Sequence, residues 1–398
     1  MTDYDVVDSP EKYRHAIDAL SAGTGPVGVD AERASGFRYS QRAYLIQMFR
    51  RDAGVFLFDP PALGGLARLQ DAVGDTPWIL HAASQDLACL REVGLDPATI
   101  FDTELGARLL GFPRVGLGTI VEELLGIHLA KEHSAADWST RPLPQSWLTY
   151  AALDVELLVD LMEAEQGLLA DAHKEVIAEQ EFSFELTRSP KPARSEPWRR
   201  LSGVHSIRGL RNLAVARELW NARDAFAREK DVAPGRLLPD ASITAVARTM
   251  PASKRELAAL REFTGRASRT EIDRWWDAVS RGRSTDDLPV LRGSGESIPP
   301  PRAWADRNPE AHARLQSARA VVTAEAETLN LPVENLLSPE TLRRLAWTPP
   351  SHVDETSIAE AMLAAEARPW QVEATAAKVA EAFVEADQSP VVRPESGS

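Results

Sequence analysis

Three short runs rich in β-forming residues lie close together between residues 27 and 59. They read VGVDAE, AYLIQMF and VFLFD, and turn-forming residues separate them. Runs of this length at this spacing predict strands that pair as an antiparallel meander. Further along, WILH and TIFD predict two more strands that alternate with helices. The first part of the chain should therefore form a mixed sheet flanked by helices, the arrangement of an α/β domain.

Helix signals surround these strands. Ser9-Pro10-Glu11 is typical of an N-cap and first turn, and predicts a helix that ends near Gly23. The segment LGGLARLQDAV predicts one helix. After WILH, Ser84 could cap a further helix, which would place Asp86 in its first turn.

Two proline-rich breaks divide the chain of 398 residues, which is long enough for more than one domain. SPKPARSEP carries three prolines and no large apolar residue, and DDLPVLRGSGESIPPPR combines Gly and Ser with a proline triplet. Such segments are typical of linkers. We predict an α/β domain at 1–187, a linker at 188–197, an all-α helical bundle at 198–285, a linker at 286–302, a second all-α bundle at 303–388 and a disordered tail at 389–398.

The net charge of −14 argues against a nucleic-acid partner, but the charge is uneven along the chain. Residues 188–270 carry 18 Lys and Arg against 8 Asp and Glu, a net +10 between two acidic segments. A segment this basic could face phosphates, or it could be a solvated helical face.

Membrane and disulfide classes are disfavoured. No apolar run approaches the ~18 residues that a membrane helix needs, and the N-terminus lacks a charged leader with an apolar core. We expect a soluble, cytoplasmic monomer without membrane contact. Cys89 is the single cysteine, so it can form neither an internal disulfide nor a zinc cluster, and we expect it in the core.

Asp30 and Glu32 end the first β-rich run. Side chains alternate across a strand, so the two acids share one face, with Cα atoms about 6.6 Å apart. Two carboxylates so placed repel each other unless a positive charge lies between them. Oxygen ligands select a hard divalent cation such as Mg²⁺ or Mn²⁺. The alternative is an ordinary solvated pair.

Two later segments carry further candidates. In HAASQDL, Asp86 could ligate a metal or could only complement a helix dipole. In QSWLTYAALDVELL, Tyr150 and Asp154 lie four residues apart and so share one face of a helix that is otherwise apolar on its packing side. Each signal is weak by itself.

The three signals together, in this order, resemble the DEDD family of 3′→5′ exonucleases, in the branch with tyrosine in the last motif. Within that family the chain is most similar to the ribonuclease D group. The matching segments are VDAE, LIQ, HAASQDL, FDT, DWSTRPL and YAALDV, and they span nearly the whole first domain. The resemblance implies an RNase H-like fold, in agreement with the mixed sheet predicted from the strand pattern.

The resemblance also implies a set of catalytic residues. Two divalent cations, Mg²⁺ or Mn²⁺, would be held by Asp30, Glu32, Asp86 and Asp154. Tyr150 would orient the attacking water, because its ordinary pKa near 10 makes it a poor base at pH 7. The implied reaction is release of nucleoside 5′-monophosphates from the 3′ end of RNA, as in tRNA processing.

Five further residues are candidate substrate contacts. Gln47 could touch the terminal nucleotide or pair only within the sheet. His81 could contact substrate or be a satisfied histidine at a strand end. Lys131, Trp138 and Arg141 precede the last helix of the site, where stacking or phosphate contact is possible. Asp102 is expected to cap a helix.

The helical half of the chain resembles a second family. LLPDASITAVARTMPASKREL is similar to the HRDC domain, a small helical module associated with nucleic-acid binding, and it falls in the basic segment. Residues 303–388 look like a divergent second copy. No G-x-x-x-x-G-K-[ST] occurs, so the helicase association of the module does not transfer.

Three functions remain open from the sequence. The first is an exoribonuclease acting on tRNA precursors or other structured RNA. The second is a DNA exonuclease on the same fold, because contacts to the 2′-hydroxyl are not visible in a sequence. The third is a catalytically silent nucleic-acid-binding protein, which loss of a ligand acid would indicate; here all four acids and the tyrosine are present.

Overall fold

The computed structural model describes residues 4–129, 133, 135–189, 194–263, 265–291 and 298–388. Its N-terminal part contains a six-stranded sheet in the order β1-β4-β3-β2-β5-β6. The strands are β1 (Val6–Val7), β2 (Thr24–Arg33), β3 (Ala43–Arg51), β4 (Gly54–Phe58), β5 (Trp78–Leu80) and β6 (Ile100–Asp102).

The pairing confirms the predicted meander. β2 pairs with β3 and β3 with β4, both antiparallel, whereas β2–β5 and β5–β6 are parallel. β1, which pairs in parallel with β4, escaped prediction because two residues are too few to show a period. The sheet is therefore mixed, as the strand pattern predicted.

Helices cover both faces of this sheet. They are α1 (Pro10–Ala22), α2 (Pro60–Leu63), α3 (Ala67–Val73), α4 (Leu87–Glu92), α5 (Thr103–Leu109), α6 (Leu117–Leu125), α7 (Gln145–Glu156), α8 (Leu158–Asp171) and α9 (Glu175–Thr187). Ser9 caps α1 as predicted, because its side chain accepts from the Lys12 N–H. The helix predicted over LGGLARLQDAV is found, but its start is wrong: α2 ends at Leu63, its cap Gly64 is left-handed with φ of 75°, and α3 starts only at Ala67.

The two faces of the sheet have separate apolar layers. Val29, Ala31 and Met48 belong to the larger layer on one face, whereas Leu45 and Leu57 pack with α7 on the other. The two acids of β2 alternate with the residues of the larger layer, so their side chains lie on the face that α7 covers.

The remainder of the described chain is helical, as predicted. A middle region has α10 (Leu210–Lys230), α11 (Pro234–Leu237), α12 (Asp240–Thr249), α13 (Lys254–Ala259), α14 (Arg266–Thr270) and α15 (Ile272–Ser284). A C-terminal region has α16 (Trp304–Arg307), α17 (Pro309–Thr328), α18 (Val333–Leu336), α19 (Pro339–Trp347), α20 (Glu355–Ala364) and α21 (Pro369–Gln388). Each region has its own buried apolar cluster. The exact domain boundaries stay predictions, and the predicted tail at 389–398 lies outside the described residues.

The loop between β2 and β3 contacts the end of α10. The Asp231 carboxylate accepts from the Ser40 N–H at 2.8 Å and from the Tyr44 hydroxyl at 3.3 Å. The Tyr39 hydroxyl donates to Asp224 at 3.0 Å. The middle region therefore holds the loop that directly follows the acids of β2.

The C-terminal region contacts α9 through a buried charge. Arg368 donates to both carboxylate oxygens of Glu181, at 2.6 and 2.9 Å, and the Trp370 indole N–H donates to the same carboxylate at 2.7 Å. Glu181 is buried, so these three charge-assisted bonds compensate its lost hydration.

Two further predictions concern burial. Cys89 is buried, as predicted, and its thiol donates to the Asp86 carbonyl at 3.1 Å. Within the described ranges, we find no helix that combines the length and the hydropathy needed to span a bilayer.

Candidate active site

Three of the four predicted ligand acids meet beside the C-terminal end of β2. Oxygen atoms of Asp30, Glu32 and Asp154 all lie within 4.8 Å of one another. The fourth acid, Asp86, lines the same cavity, which has a volume of about 450 Å³. Residues far apart in the chain are thus brought to one cavity.

The close approach of α7 to β2 places Asp154. Gly28 lies two residues before Asp30, and a Cβ atom added to it would lie 2.8 Å from the Val155 carbonyl oxygen. A side chain at position 28 would therefore push the end of α7 away. Because only glycine permits this contact, Gly28 sets the distance between Asp154 and the acids of β2.

A tight turn places Asp86. The Asp102 carboxylate accepts from the Ala82 and Ala83 N–H groups at 2.9 and 2.8 Å, and it also caps α5 as predicted. Ala82 takes a left-handed conformation with φ of 64°. The predicted cap at Ser84 is wrong, because a 3₁₀ turn precedes α4 and Asp86 itself is the residue before the helix. Asp86 makes no capping bond, so its carboxylate is available to the cavity.

The four acids share a strongly unfavourable electrostatic environment. Burial raises the pKa of each, and for Glu32, Asp86 and Asp154 the charge of neighbouring acids adds to the effect. The pKa of Glu32 rises to about 10 and that of Asp154 to about 7. Positive charge among the oxygens would remove this penalty, and an all-oxygen donor set suits a hard divalent cation. The residues present therefore fit a metal site.

Tyr150 lies one turn from Asp154 and faces the same cavity. Its hydroxyl is hydrogen-bonded to the Asp154 carboxylate, and burial together with that charge raises the pKa of the phenol. The group therefore stays protonated at neutral pH. It can take part in hydrogen bonds, and its role in orienting water stays a prediction.

His81 lines the cavity as well. Its Nδ1 lies 2.8 Å from the Thr103 hydroxyl, and burial lowers the pKa of the imidazole to about 4. The ring is thus neutral at pH 7. A contact from His81 to a bound nucleotide stays a prediction, and it would involve a neutral ring.

Gln47, Trp138 and Arg141 do not line the cavity. Gln47 is completely buried opposite Asp30 in the β2–β3 register. Trp138 is also completely buried, with its ring 5.3 Å from that of Trp147. The structure gives both residues packing positions, so substrate contact by either would require rearrangement. Lys131 lies outside the described residues.

Arg141 makes four hydrogen bonds within the protein. Its guanidinium donates to Asp59 at 2.6 Å and to the Tyr44 carbonyl at 2.8 Å. Two more bonds go to the carbonyls of Trp138 and Thr140, at 2.8 and 2.7 Å. These contacts hold the loop before α7 in place. They leave few N–H donors of Arg141 available to bind a phosphate.

Sequence reasoning missed what Asp102 and Arg33 do at the site. Asp102 was expected only as a helix cap, yet it also holds the turn before Asp86. Arg33 was not considered, yet it lines the cavity, with Nη2 3.7 Å from Asp86 Oδ1. Strand alternation predicts that Arg33 points away from Glu32, so the sequence pattern offered no signal for it.

Comparison with known proteins agrees with this geometry. Residues 4–166 match the family model described as 3'-5' exonuclease, residues 212–279 match the HRDC domain, and residues 297–383 match the 3' to 5' exonuclease C-terminal domain. The fold and the acid cluster thus define a 3′→5′ exonuclease of the DEDD type. The third match differs from the HRDC model, so the idea of a second HRDC copy stays a prediction.

Individual relatives show which family of 3′→5′ exonucleases this chain resembles. Ribonuclease D of Pseudomonas paraeruginosa is 31% identical over 67% of this chain and 69% of its own length. Ribonuclease D of Jannaschia sp. is 30% identical over 82% of this chain and 84% of its own. A solved structure of a protein from Bifidobacterium adolescentis is 36% identical, with a TM-score of 0.87, and the match covers 96% of this chain and 97% of that one. The chain belongs to the ribonuclease D family of 3′→5′ exoribonucleases.

Proposed function

We propose that this exoribonuclease uses two divalent cations, Mg²⁺ or Mn²⁺, to release nucleoside 5′-monophosphates from the 3′ ends of structured RNA such as tRNA precursors. The observation that carries the proposal is the meeting of Asp30, Glu32 and Asp154 within 4.8 Å, with Asp86 in the same cavity. Four carboxylates balance the charge of two divalent cations.

Each residue has a part that its position supports. The cations would be held by Asp30, Glu32, Asp86 and Asp154. Bound there, two cations would supply a hydroxide near neutral pH and stabilise the attacking and leaving oxygens of phosphoryl transfer. The Tyr150 hydroxyl, held by Asp154, would orient the attacking water by a hydrogen bond. Asp102 would keep the turn before Asp86 in place.

The proposal is tested with end-labelled RNA and a DNA of matching sequence, each incubated with Mg²⁺ or Mn²⁺ and with or without EDTA. We expect stepwise shortening of the RNA from its 3′ end, release of 5′-monophosphates and complete inhibition by EDTA. Faster hydrolysis of DNA would instead identify a DNA exonuclease.

Two substitutions sharpen the test. Asp154→Asn should abolish hydrolysis while the circular dichroism spectrum stays that of the folded protein, because the amide keeps the shape but not the charge of a ligand. Asp75→Asn is the matched control, since Asp75 is exposed and does not line the cavity. Substantial hydrolysis by Asp154→Asn would contradict the metal assignment.

A further inference from the structure

Arg33 is the only Lys or Arg among the described residues that line the cavity. The acids that line it are Asp30, Glu32, Asp86, Glu104 and Asp154. An RNA terminus is a polyanion, and carboxylates repel it wherever their charge is not compensated. A guanidinium inside this cavity is therefore well placed to attract a phosphate.

A β-bulge accompanies the unusual direction of Arg33. Glu32 pairs with Leu45, but the next residue, Arg33, pairs with Ala43, so the β2–β3 register shifts at this point. The residue left unpaired by the shift is Tyr44, so the bulge lies in β3, opposite Arg33, the last residue of β2. Bulges bend the strand that carries the extra residue, increase the local twist and are common next to active sites.

The guanidinium of Arg33 has unused hydrogen-bonding capacity. Its closest charged partner in the described chain is Asp86, at 3.7 Å, which is longer than a hydrogen bond. The side chain keeps 27% of its surface exposed. Arg141, the arginine predicted to contact phosphate, instead donates hydrogen bonds to four acceptors within the protein. Arg33 is therefore the better phosphate ligand of the two.

We propose that Arg33 binds a non-bridging phosphate oxygen of one of the last linkages at the RNA 3′ end. The proposal rests on the exoribonuclease function proposed above and adds a substrate-binding residue to it. Asp86 is a proposed metal ligand, so its ion pair with Arg33 is expected to give way to a phosphate when the site is loaded. The flat, forked guanidinium can then bind phosphate through two parallel bonds.

The test measures binding of a short 3′-hydroxyl oligoribonucleotide to the full chain in Ca²⁺, under conditions in which no hydrolysis is detected. Single methylphosphonates, which are neutral, replace each of the last three linkages in turn. The nucleotide on the 5′ side of the modified linkage carries a 2′-O-methyl group in both the modified and the reference oligonucleotide. The variants are Arg33→Gln and Arg33→Lys, and Arg68→Gln serves as a control at an exposed arginine outside the cavity lining.

We expect Arg33→Gln to weaken binding of the all-phosphate oligonucleotide about tenfold, the loss typical of one charged hydrogen-bonded contact. Arg33→Lys should bind RNA with intermediate affinity, because lysine keeps the positive charge but lacks the two parallel N–H donors of the guanidinium. At one linkage, the methylphosphonate should weaken wild type about tenfold and Arg33→Gln hardly at all. Arg68→Gln should bind like wild type.

Two results would overturn the proposal. In the first, Arg33→Gln binds RNA as well as wild type does. In the second, the effects of Arg33→Gln and of the methylphosphonate simply add at all three linkages, as they would if Arg33 only offset the charge of the acids. Failure of the proposed function is distinct, because wild type itself would then neither hydrolyse the unmodified RNA in Mg²⁺ nor bind its 3′ end.

Discussion

At the scale of single residues, buried carboxylates have two different roles in this chain. The acids of the cavity lie close together and fit a cation. Glu165 on α8 is also completely buried, but neither of its oxygens has a hydrogen-bond partner among the described residues. Burial, with a smaller effect from Asp102, raises the pKa of Glu165 to about 9. Glu165 is therefore protonated in the folded protein at pH 7.

The raised pKa of Glu165 predicts how stability depends on pH. Between about pH 5 and 9 the unfolded chain ionises this group while the folded chain keeps its proton, so stability falls as pH rises, by up to about 1.4 kcal/mol per pH unit. Gln cannot ionise, and Glu165→Gln should therefore lose much less stability than wild type between pH 5.5 and 8.5. Urea unfolding at both pH values measures the difference.

The control for this prediction lies on the same helix. Glu163 is half exposed and paired with Arg51, which lowers the pKa of its carboxyl. Its contribution is lost only below its unfolded pKa, so Glu163→Gln should keep the wild-type slope over this range. A Glu165→Gln protein with the same slope as wild type would show that Glu165 is ionised in the folded state.

At the scale of elements, the contact between α7 and β2 decides whether the site forms. Asp154 is carried by the helix and Asp30 by the strand, and the two elements touch where Gly28 meets the Val155 carbonyl. Packed elements transmit small shifts because protein interiors contain few voids. A displacement of α7 would therefore move Asp154 relative to the acids of β2.

Gly28→Ala is expected to lower the rate of RNA hydrolysis about 10- to 100-fold, because a shift of roughly 1 Å in a reacting geometry has effects of this size. The added Cβ would lie 2.8 Å from the Val155 oxygen, so the backbone of α7 must move. Gly65→Ala is the control, since a Cβ there meets no atom within 4 Å. Single-turnover rates, with circular dichroism as a check of folding, measure the effect; a folded Gly28→Ala protein with the wild-type rate would refute it.

The correct and the incorrect predictions of helices and strands have one physical explanation, which is whether the signal is local in the sequence. The strands β2, β3 and β4 and the helix α1 carry strong local patterns, and each was predicted. The errors at Gly64 and Ser84 arose where backbone conformation breaks a periodic pattern. At Ala82 the left-handed turn is held by Asp102, twenty residues away, and a local pattern does not reveal such a contact.

At the scale of the whole molecule, charge is segregated between regions with separate apolar cores. Arg261, Arg266 and Arg269 in the basic middle region are exposed, and within the described chain they form no ion pair. Such arginines are free to contact phosphates. The middle region also contacts the loop that follows the acids of β2. RNA bound to the middle region would therefore be held by a part of the chain that touches the catalytic domain.

Replacing these three arginines with Ala should weaken RNA binding and flatten its salt dependence. Each lost phosphate contact on single-stranded RNA lowers the slope of log affinity against log salt by about 0.7, so the expected change is up to about 2. Affinities measured at several salt concentrations give the slope.

The matched control removes the same charge elsewhere. Arg302, Arg307 and Arg319 are exposed in the acidic C-terminal region, and their replacement by Ala should leave the slope nearly unchanged. Equal effects of the two triple variants would show that the basic region is a solvated face and that only net charge matters.

The sequence by itself determined the strands β2 to β6 and the helix α1, because strand alternation and helix caps are properties of neighbouring residues. Its short motifs, through their resemblance to a family, also indicated the four acids and Tyr150 as candidates for the site. The tertiary structure decided which arginine reaches the cavity. Arg141, predicted from its motif, is bound by protein acceptors, whereas Arg33 lines the cavity beside a register shift. Register and packing depend on contacts between residues distant in the chain, and only the folded molecule contains them.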